Sequence, residues 1–239
     1  TTSFTEAFSR SLLEEASRDP RIVAITAAMA KGTGLAAFQH RYPDRFFDVG
    51  IAEQHAVTFA GGLAAGGMRP VVAIYSTFMQ RAVDQLVHDA ALQKLPVVFA
   101  LDRSGAVPDD GETHQGLFDI ALFRPVPGVS ILAPASAREM SLMLSWALGR
   151  DEPVIIRYPK AACPTEQSAF DLPLETGKGV FTQRDGADIL IVCTGGIYAE
   201  VHEAANMLAR SSFPVDTYNL RFIKPLDEDF LVSCASGYR

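Results

Sequence analysis

The chain has 239 residues, nearly half of them hydrophobic, and 21 Lys and Arg against 28 Asp and Glu give a net charge of −7. That length accommodates one large domain or two small ones around a sizeable core. An acidic balance with no long basic run speaks against a nucleic-acid partner, and no apolar run approaches membrane-spanning length, so no membrane partner is expected.

The N-terminal TTSFTEAFSR reads as the start of an amphipathic helix and not as a secretion signal. Residues 5–17 continue that helix, with Phe4, Phe8, Leu12 and Ala16 on one face. A strand at 22–26, a short helix at 34–42 and a strand at 46–49 follow. Over 52–67 the spacing turns helical, with small residues on the face that another backbone would approach. Strands are expected at 70–75, 95–101, 129–132 and 154–157, and helices at 78–93 and 136–148. The strands are apolar runs without alternation, as in sheets covered on both faces. The pattern predicts a doubly wound parallel α/β domain over residues 1–160.

From 161 to 180 the periodicity lapses, and this stretch reads as a linker. A second α/β unit begins at 181, with strands at 189–193 and 215–220 and a helix at 199–209. Residues 222–239 read as the opening of another βα step, so the second domain is expected to be incomplete. The three cysteines, Cys163, Cys193 and Cys234, are scattered. They fit neither a disulfide framework nor a metal cluster and point to a reducing compartment.

Ligands of an open α/β sheet sit outside the strand C-termini. There the sequence gathers Glu53 in the first turn of a helix, Tyr75, Phe78 and Arg81, then Arg103, Asp110 and His114 in a long polar loop, then Arg157 and Lys160. Each has an ordinary alternative: Glu53 complements a helix dipole, Phe78 fills a core, Arg81 is a solvated helix charge, and His114 is a loop hydrogen bonder. Together on one sheet edge they read as a site.

DVGIAEQH at 48–55, YSTFMQR at 75–81, QKLP at 93–96, DGETHQG at 110–116 and RYPK at 157–160 closely resemble the 1-deoxy-D-xylulose-5-phosphate synthases. These are thiamine-diphosphate enzymes of the transketolase superfamily. The resemblance covers about residues 4–231, with FIKPLD at 222–227 similar to the opening of the family's third domain. The family's Gly-Asp-Gly…Asn signature for magnesium and the diphosphate is not found, so the chain reads as a fragment: pyrimidine-binding domain plus the start of the C-terminal domain. Mg2+ is then expected on the missing N-terminal diphosphate-binding domain, not on this chain.

The resemblance implies condensation of pyruvate with glyceraldehyde 3-phosphate, release of CO2, a homodimer, and a bacterial cytoplasm or a plastid. Glu53 is the candidate partner of the cofactor's N1′, and Phe78 the ring that stacks on its pyrimidine. Ile51 and Tyr75 line the same pocket. Arg103, Arg157 and Lys160 are candidates for the acceptor's phosphate, with Arg81 nearer the reacting centre. Lys160 stands where some members of the family have Arg. His114 is a candidate proton donor or acceptor, and Asp110 could accept from the acceptor's hydroxyl. Two other readings stay open: a transketolase half or the β subunit of a 2-oxo acid dehydrogenase, and a non-catalytic α/β binding module.

Overall fold

Strand-forming apolar runs alternate with amphipathic helices, and the computed structural model, which describes residues 2–238, stacks them in three layers. Helix α1 (Phe4–Arg18) starts in a capping box: Glu6 N donates to the Ser3 hydroxyl, and Ser3 N donates to the Glu6 carboxylate at 2.7 Å. Strand β1 (Ile22–Thr26), α2 (Ala36–Arg41), β2 (Phe46–Asp48), α3 (Glu53–Ala65) and β3 (Arg69–Tyr75) follow. Next come the short helices α4 (Ser76–Met79) and α5 (Val83–Gln85), β4 (Val98–Asp102), α6 (Asp119–Phe123), β5 (Ser130–Leu132), α7 (Ala137–Leu148) and β6 (Val154–Arg157). The C-terminal part holds β7 (Val180–Thr182), β8 (Leu190–Thr194), α8 (Tyr198–Arg210), β9 (Asp216–Leu220), β10 (Phe222–Lys224) and α9 (Glu228–Ala235). Thr1 and Arg239, the outer ends of the first and last expected elements, lie outside the described residues.

Among the described residues the large sheet has seven strands in the order β10-β5-β6-β4-β3-β1-β2, and a small sheet has three, β7-β9-β8. Strands β1 to β6 pair in parallel. One face of the large sheet packs on α3 through Ala56, Val57 and Ala60. The other packs on α1 and α7 through Phe8, Leu12, Met140 and Leu144. The sheet is thus doubly wound, and the order in which strands are added reverses at β1 and β3.

Three features depart from the sequence pattern. The helix expected over 78–93 is broken: α4 gives way to a 3-10 turn at Gln80–Ala82, then α5, then a π-helical turn at Leu86–Ala91. The π turn lies where α3 comes closest. A Cβ on Gly61 would sit 2.8 Å from the carbonyl oxygen of Asp89, and the Thr58 hydroxyl donates to the Asp89 carboxylate at 2.5 Å. The second departure is β10, expected to open the next βα step of the C-terminal unit. It joins the large sheet instead, antiparallel to β5, with Ala133 N donating to the Arg221 carbonyl at 3.1 Å. The third is β7, a short antiparallel partner of β9 in the stretch where the periodicity is weakest.

The residues read as a linker form an ordered strap. Cys163 N donates to the Thr2 carbonyl at 2.7 Å, and Phe4 N to that of Ala161 at 3.0 Å. Farther along, the strap wraps Arg221, which is 1% exposed. Its Nε and Nη2 donate to the two oxygens of buried Glu139 on α7, at 3.0 and 2.9 Å. Nη1 donates to the Pro173 carbonyl, and Nη2 to those of Phe170 and Leu172. One guanidinium thereby joins α7, the strap and the crossover from β9 to β10.

Removing one member of a buried ion pair leaves the other charge uncompensated. Arg221→Met is expected to cost about 3–5 kcal/mol, read from the urea unfolding midpoint, and Glu139→Leu added to it to recover most of the loss. A single-variant loss below about 1 kcal/mol, the range of exposed pairs, would contradict this role for Arg221.

Candidate functional site

The strand order reverses between β1 and β3, the place where ligands of open α/β sheets bind, and most of the candidate residues lie at the strand C-termini there. Glu53 is the first residue of α3, 2% exposed, where the helix dipole favours an anion. Arg81 donates from Nη1 to Glu53 Oε1 at 2.7 Å, and its guanidinium lies 5.0 Å from the Phe78 ring centroid. Phe78 and Tyr75 stack at 5.8 Å. The His114 ring meets Phe78 edge-on at 5.2 Å and Tyr75 at 6.1 Å. The result is an aromatic shelf next to a buried carboxylate.

Beside the shelf is a cluster of charges. The Arg103 guanidinium lies 3.7 Å over the Tyr75 ring. Its Nε donates to Asp110 Oδ2 at 2.8 Å and its Nη1 to the Gly32 carbonyl at 2.9 Å. Lys160 Nζ donates to the other oxygen of Asp110, Oδ1, at 2.5 Å. The Lys160 ammonium and then the Arg103 guanidinium hold the Asp110 carboxyl below its usual range. Two cations on separate elements thus close on one anion.

The loop that brings Asp110 there is a closed structure. Gly105 and Gly116 exchange backbone hydrogen bonds at 2.7 and 2.9 Å. Gln115 folds back inside: its Oε1 accepts from Val107 N, and its Nε2 donates to the carbonyls of Val107 and Gly111. Gly105 and Gly111 take φ of 90° and 78°, where a side chain would be strained. Thr77 donates to the Thr113 carbonyl at 3.1 Å and ties the loop to α4.

Two candidates stand apart from these groupings. Arg157 gives its Nε and Nη2 to Asp119, the first residue of α6, at 2.7 and 3.4 Å. Ile51 is 82% exposed on the turn before α3. The sequence reading did not single out Gly32, Asp102, Gln115 or Asp119. Gly32 is legible only in the fold, where a Cβ at that position would fall 1.7 Å from the Tyr75 hydroxyl. Among the described residues, no group of three or more His, Cys, Asp or Glu is placed to hold a metal ion. The cysteines are free, and burial pushes the Cys163 thiol up to about 11, far from a reactive thiolate.

Residues 1–166 match the family model described as the transketolase pyrimidine-binding domain, and residues 177–239 the one described as the transketolase C-terminal domain. In class this is an α/β protein of transketolase type. More narrowly, the chain belongs to the transketolase family, and its similar relatives are 1-deoxy-D-xylulose-5-phosphate synthases. That of Treponema pallidum (strain Nichols) is 61% identical over 238 residues, covering 99% of this chain and 38% of the relative. That of Desulforudis audaxviator is 51% identical over 229 residues, covering 95% and 36%. The chain therefore spans a little over a third of the length of these relatives.

A solved split-gene transketolase, described as an inactive β4 tetramer, superposes with a TM-score of 0.86 at 29% identity over 99% of this chain and 77% of that one. A transketolase of Pichia stipitis shares the fold, with a TM-score of 0.83 at 21% identity over 97% of this chain and 37% of its own.

Gln115 supplies three of the hydrogen bonds that close the loop, so Gln115→Ala is expected to loosen it without unfolding the sheet. Each bond lost removes about 0.5–1.5 kcal/mol, so amide hydrogen exchange over residues 105–116 should rise by roughly tenfold or more. Exchange in β3 and β4 should stay as it is.

Proposed function

We propose that this chain is the pyrimidine-binding and C-terminal part of a 1-deoxy-D-xylulose-5-phosphate synthase, which condenses pyruvate with D-glyceraldehyde 3-phosphate and releases CO2. The observation that carries the reading is the pair Arg103 and Lys160 closed on the Asp110 carboxylate beside the Glu53 and Phe78 shelf. A cradle that holds a carboxylate with one guanidinium N–H of Arg103 and the Lys160 ammonium suits a phosphate oxygen as well. It stands where an acceptor would meet the reacting centre.

The residues also suit the cofactor. A flat aminopyrimidine fits the Phe78 and Tyr75 shelf, and stacking adds roughly 0.5–1.5 kcal/mol beyond burial. Thiamine diphosphate, when bound, supplies the carbanion and the electron sink of the reaction. Glu53 would share a proton with the pyrimidine's N1′, and its burial keeps water from competing for that contact. Arg81, now on Glu53, is near enough to the reacting centre to steer a carboxylate such as that of pyruvate. His114, edge-on to the shelf, is placed to move a proton to or from the acceptor. Asp110 would leave the cradle for the phosphate and become free to accept from the acceptor's hydroxyl. Arg157, with two of its N–H groups on Asp119, is read as a support of the strand end more than as a phosphate ligand.

The diphosphate and Mg2+ are assigned to the half of the enzyme that this chain does not contain. The likeness to a split-gene transketolase favours a second arrangement of the same chemistry: the two halves are separate polypeptides, and this one is silent until it meets its complement. Either way, two copies of the complete unit are expected to assemble.

The complete enzyme, formed by this chain with a diphosphate-binding half, linked or added in trans, tests the reading. With thiamine diphosphate and Mg2+ it should convert pyruvate and glyceraldehyde 3-phosphate to a five-carbon phosphate and CO2. Glu53→Gln should lower kcat by about 10²–10⁴-fold, the range of a lost acid–base contact. Lys160→Met should raise KM for the phosphorylated acceptor several-fold and leave KM for pyruvate unchanged. Full activity in Glu53→Gln would leave the non-catalytic reading standing, and indifference to the acceptor's phosphate would favour the dehydrogenase reading.

A further inference from the structure

Asp102, the last residue of β4, lies beneath the charged cradle and has no part in the chemistry described so far. It is fully buried. Its Oδ2 accepts from the Thr5 hydroxyl of α1 at 2.7 Å. Its Oδ1 has no hydrogen-bond partner and stands 3.4 Å from Nη1 of Arg103. The hydroxyl of buried Tyr158 is also unpartnered. A buried carboxylate with one oxygen unused is costly. Burial pushes this carboxyl up to about 6, although Thr5 and Arg103 both pull it down. Asparagine would fill the same space without the charge, so stability alone does not account for an aspartate there.

What the charge does act on is Arg103. That residue has a left-handed backbone, φ 61°, and its guanidinium is held by the Tyr75 ring, the Gly32 carbonyl and Asp110. Of these, Asp110 is the one that an incoming phosphate displaces. When it leaves, the Tyr75 ring and the Gly32 carbonyl carry no charge to oppose the pull of the phosphate on Arg103. The remaining anion in contact is Asp102, placed on the sheet side, opposite the approach of a ligand. A carboxylate pinned by a threonine fixes the guanidinium without competing for its outer edge.

We propose that Asp102, fixed by Thr5, is a positioning residue that keeps Arg103 aimed at the phosphate of the acceptor. The proposal rests on the phosphorylated-acceptor reading above. Asp102 acts through Arg103 and touches neither substrate nor cofactor. Its ionisation lowers the stability of the folded enzyme, because the folded state binds the proton more tightly than the unfolded chain does. That cost is absent below the unfolded value and grows as the pH rises through the folded value.

The test compares Asp102→Asn, Thr5→Val and Thr5→Ser in the complete enzyme, with D-glyceraldehyde 3-phosphate and unphosphorylated D-glyceraldehyde as alternative acceptors. Asp102→Asn is expected to raise KM for the phosphorylated acceptor about tenfold, with a much smaller change in kcat. KM for pyruvate and for D-glyceraldehyde should hardly move. The melting temperature at pH 7.5 should stay level or rise. Thr5→Val should shift the same KM in the same direction by less, and Thr5→Ser should restore it. An unchanged KM for the phosphorylated acceptor overturns the proposal. So does an equal loss on all three substrates with a lowered melting temperature, which marks a merely structural residue. If Asp102→Asn does not fold, the Val and Ser variants of Thr5 decide between the same outcomes. A wild-type enzyme that does not distinguish the two acceptors overturns the reaction reading itself, and this proposal with it.

Discussion

The ion pair of Arg221 and Glu139 is the constraint on which the arrangement of the two sheets depends. A guanidinium with five N–H groups is seldom enclosed, because every donor must find an acceptor. Here Nε, Nη1 and Nη2 each find acceptors, a carboxylate from α7 and carbonyls of the strap, at 2.9 to 3.2 Å. The strap cannot lift without stranding the charge, and α7 cannot shift without losing its first-turn acid. The crossover that follows Arg221 is thereby aimed at the large sheet, where β10 pairs with β5. A buried pair adds little net stability against an apolar substitute, but it is intolerant of other geometries. What it specifies here is the relation of one sheet to the other.

The candidate site is built by a different rule. Its charges sit at strand ends and meet one another there, so each is preset by a neighbour before any ligand arrives. Glu53 is held by Arg81 and Arg103 by Asp110 and Gly32, while Arg157, apart from them, is held by Asp119. Preset partners limit how far each side chain must reorganise on binding. On the reading proposed above, a phosphate would have to displace Asp110 from Arg103 and Lys160.

Much of this was legible in the sequence. Strand ends followed by Glu53, Tyr75, Arg103 and Arg157 could be read because parallel strands are continuous apolar runs and the polar residue that ends each one faces a common edge. The polar loop that carries Asp110 and His114 announced itself by its length and its charged residues. The π-helical turn at Leu86–Ala91 was hidden, because it lies where Asp89 meets Gly61 of another helix, a contact that local propensity does not report. Strand β10 was hidden for a similar reason: three residues of a short strand do not say which sheet they join. Partners such as Asp119 for Arg157, 38 positions apart, leave no mark on either segment. Periodicity reports which face of an element is buried, and ion pairs across loops are decided only when the chain has closed.

Strand β10 has a consequence for how such a protein can be divided. The edge of β5 is covered by a strand that comes after the whole of the small sheet, at Phe222–Lys224. A cut anywhere in the strap would leave the first unit with a bare, flat edge beside Ile131 and Leu132, the kind of surface that recruits other chains. The two units are therefore not interchangeable modules, although each matches a family model of its own. The separately encoded transketolase half, which this chain matches along 99% of its length, keeps both on one polypeptide.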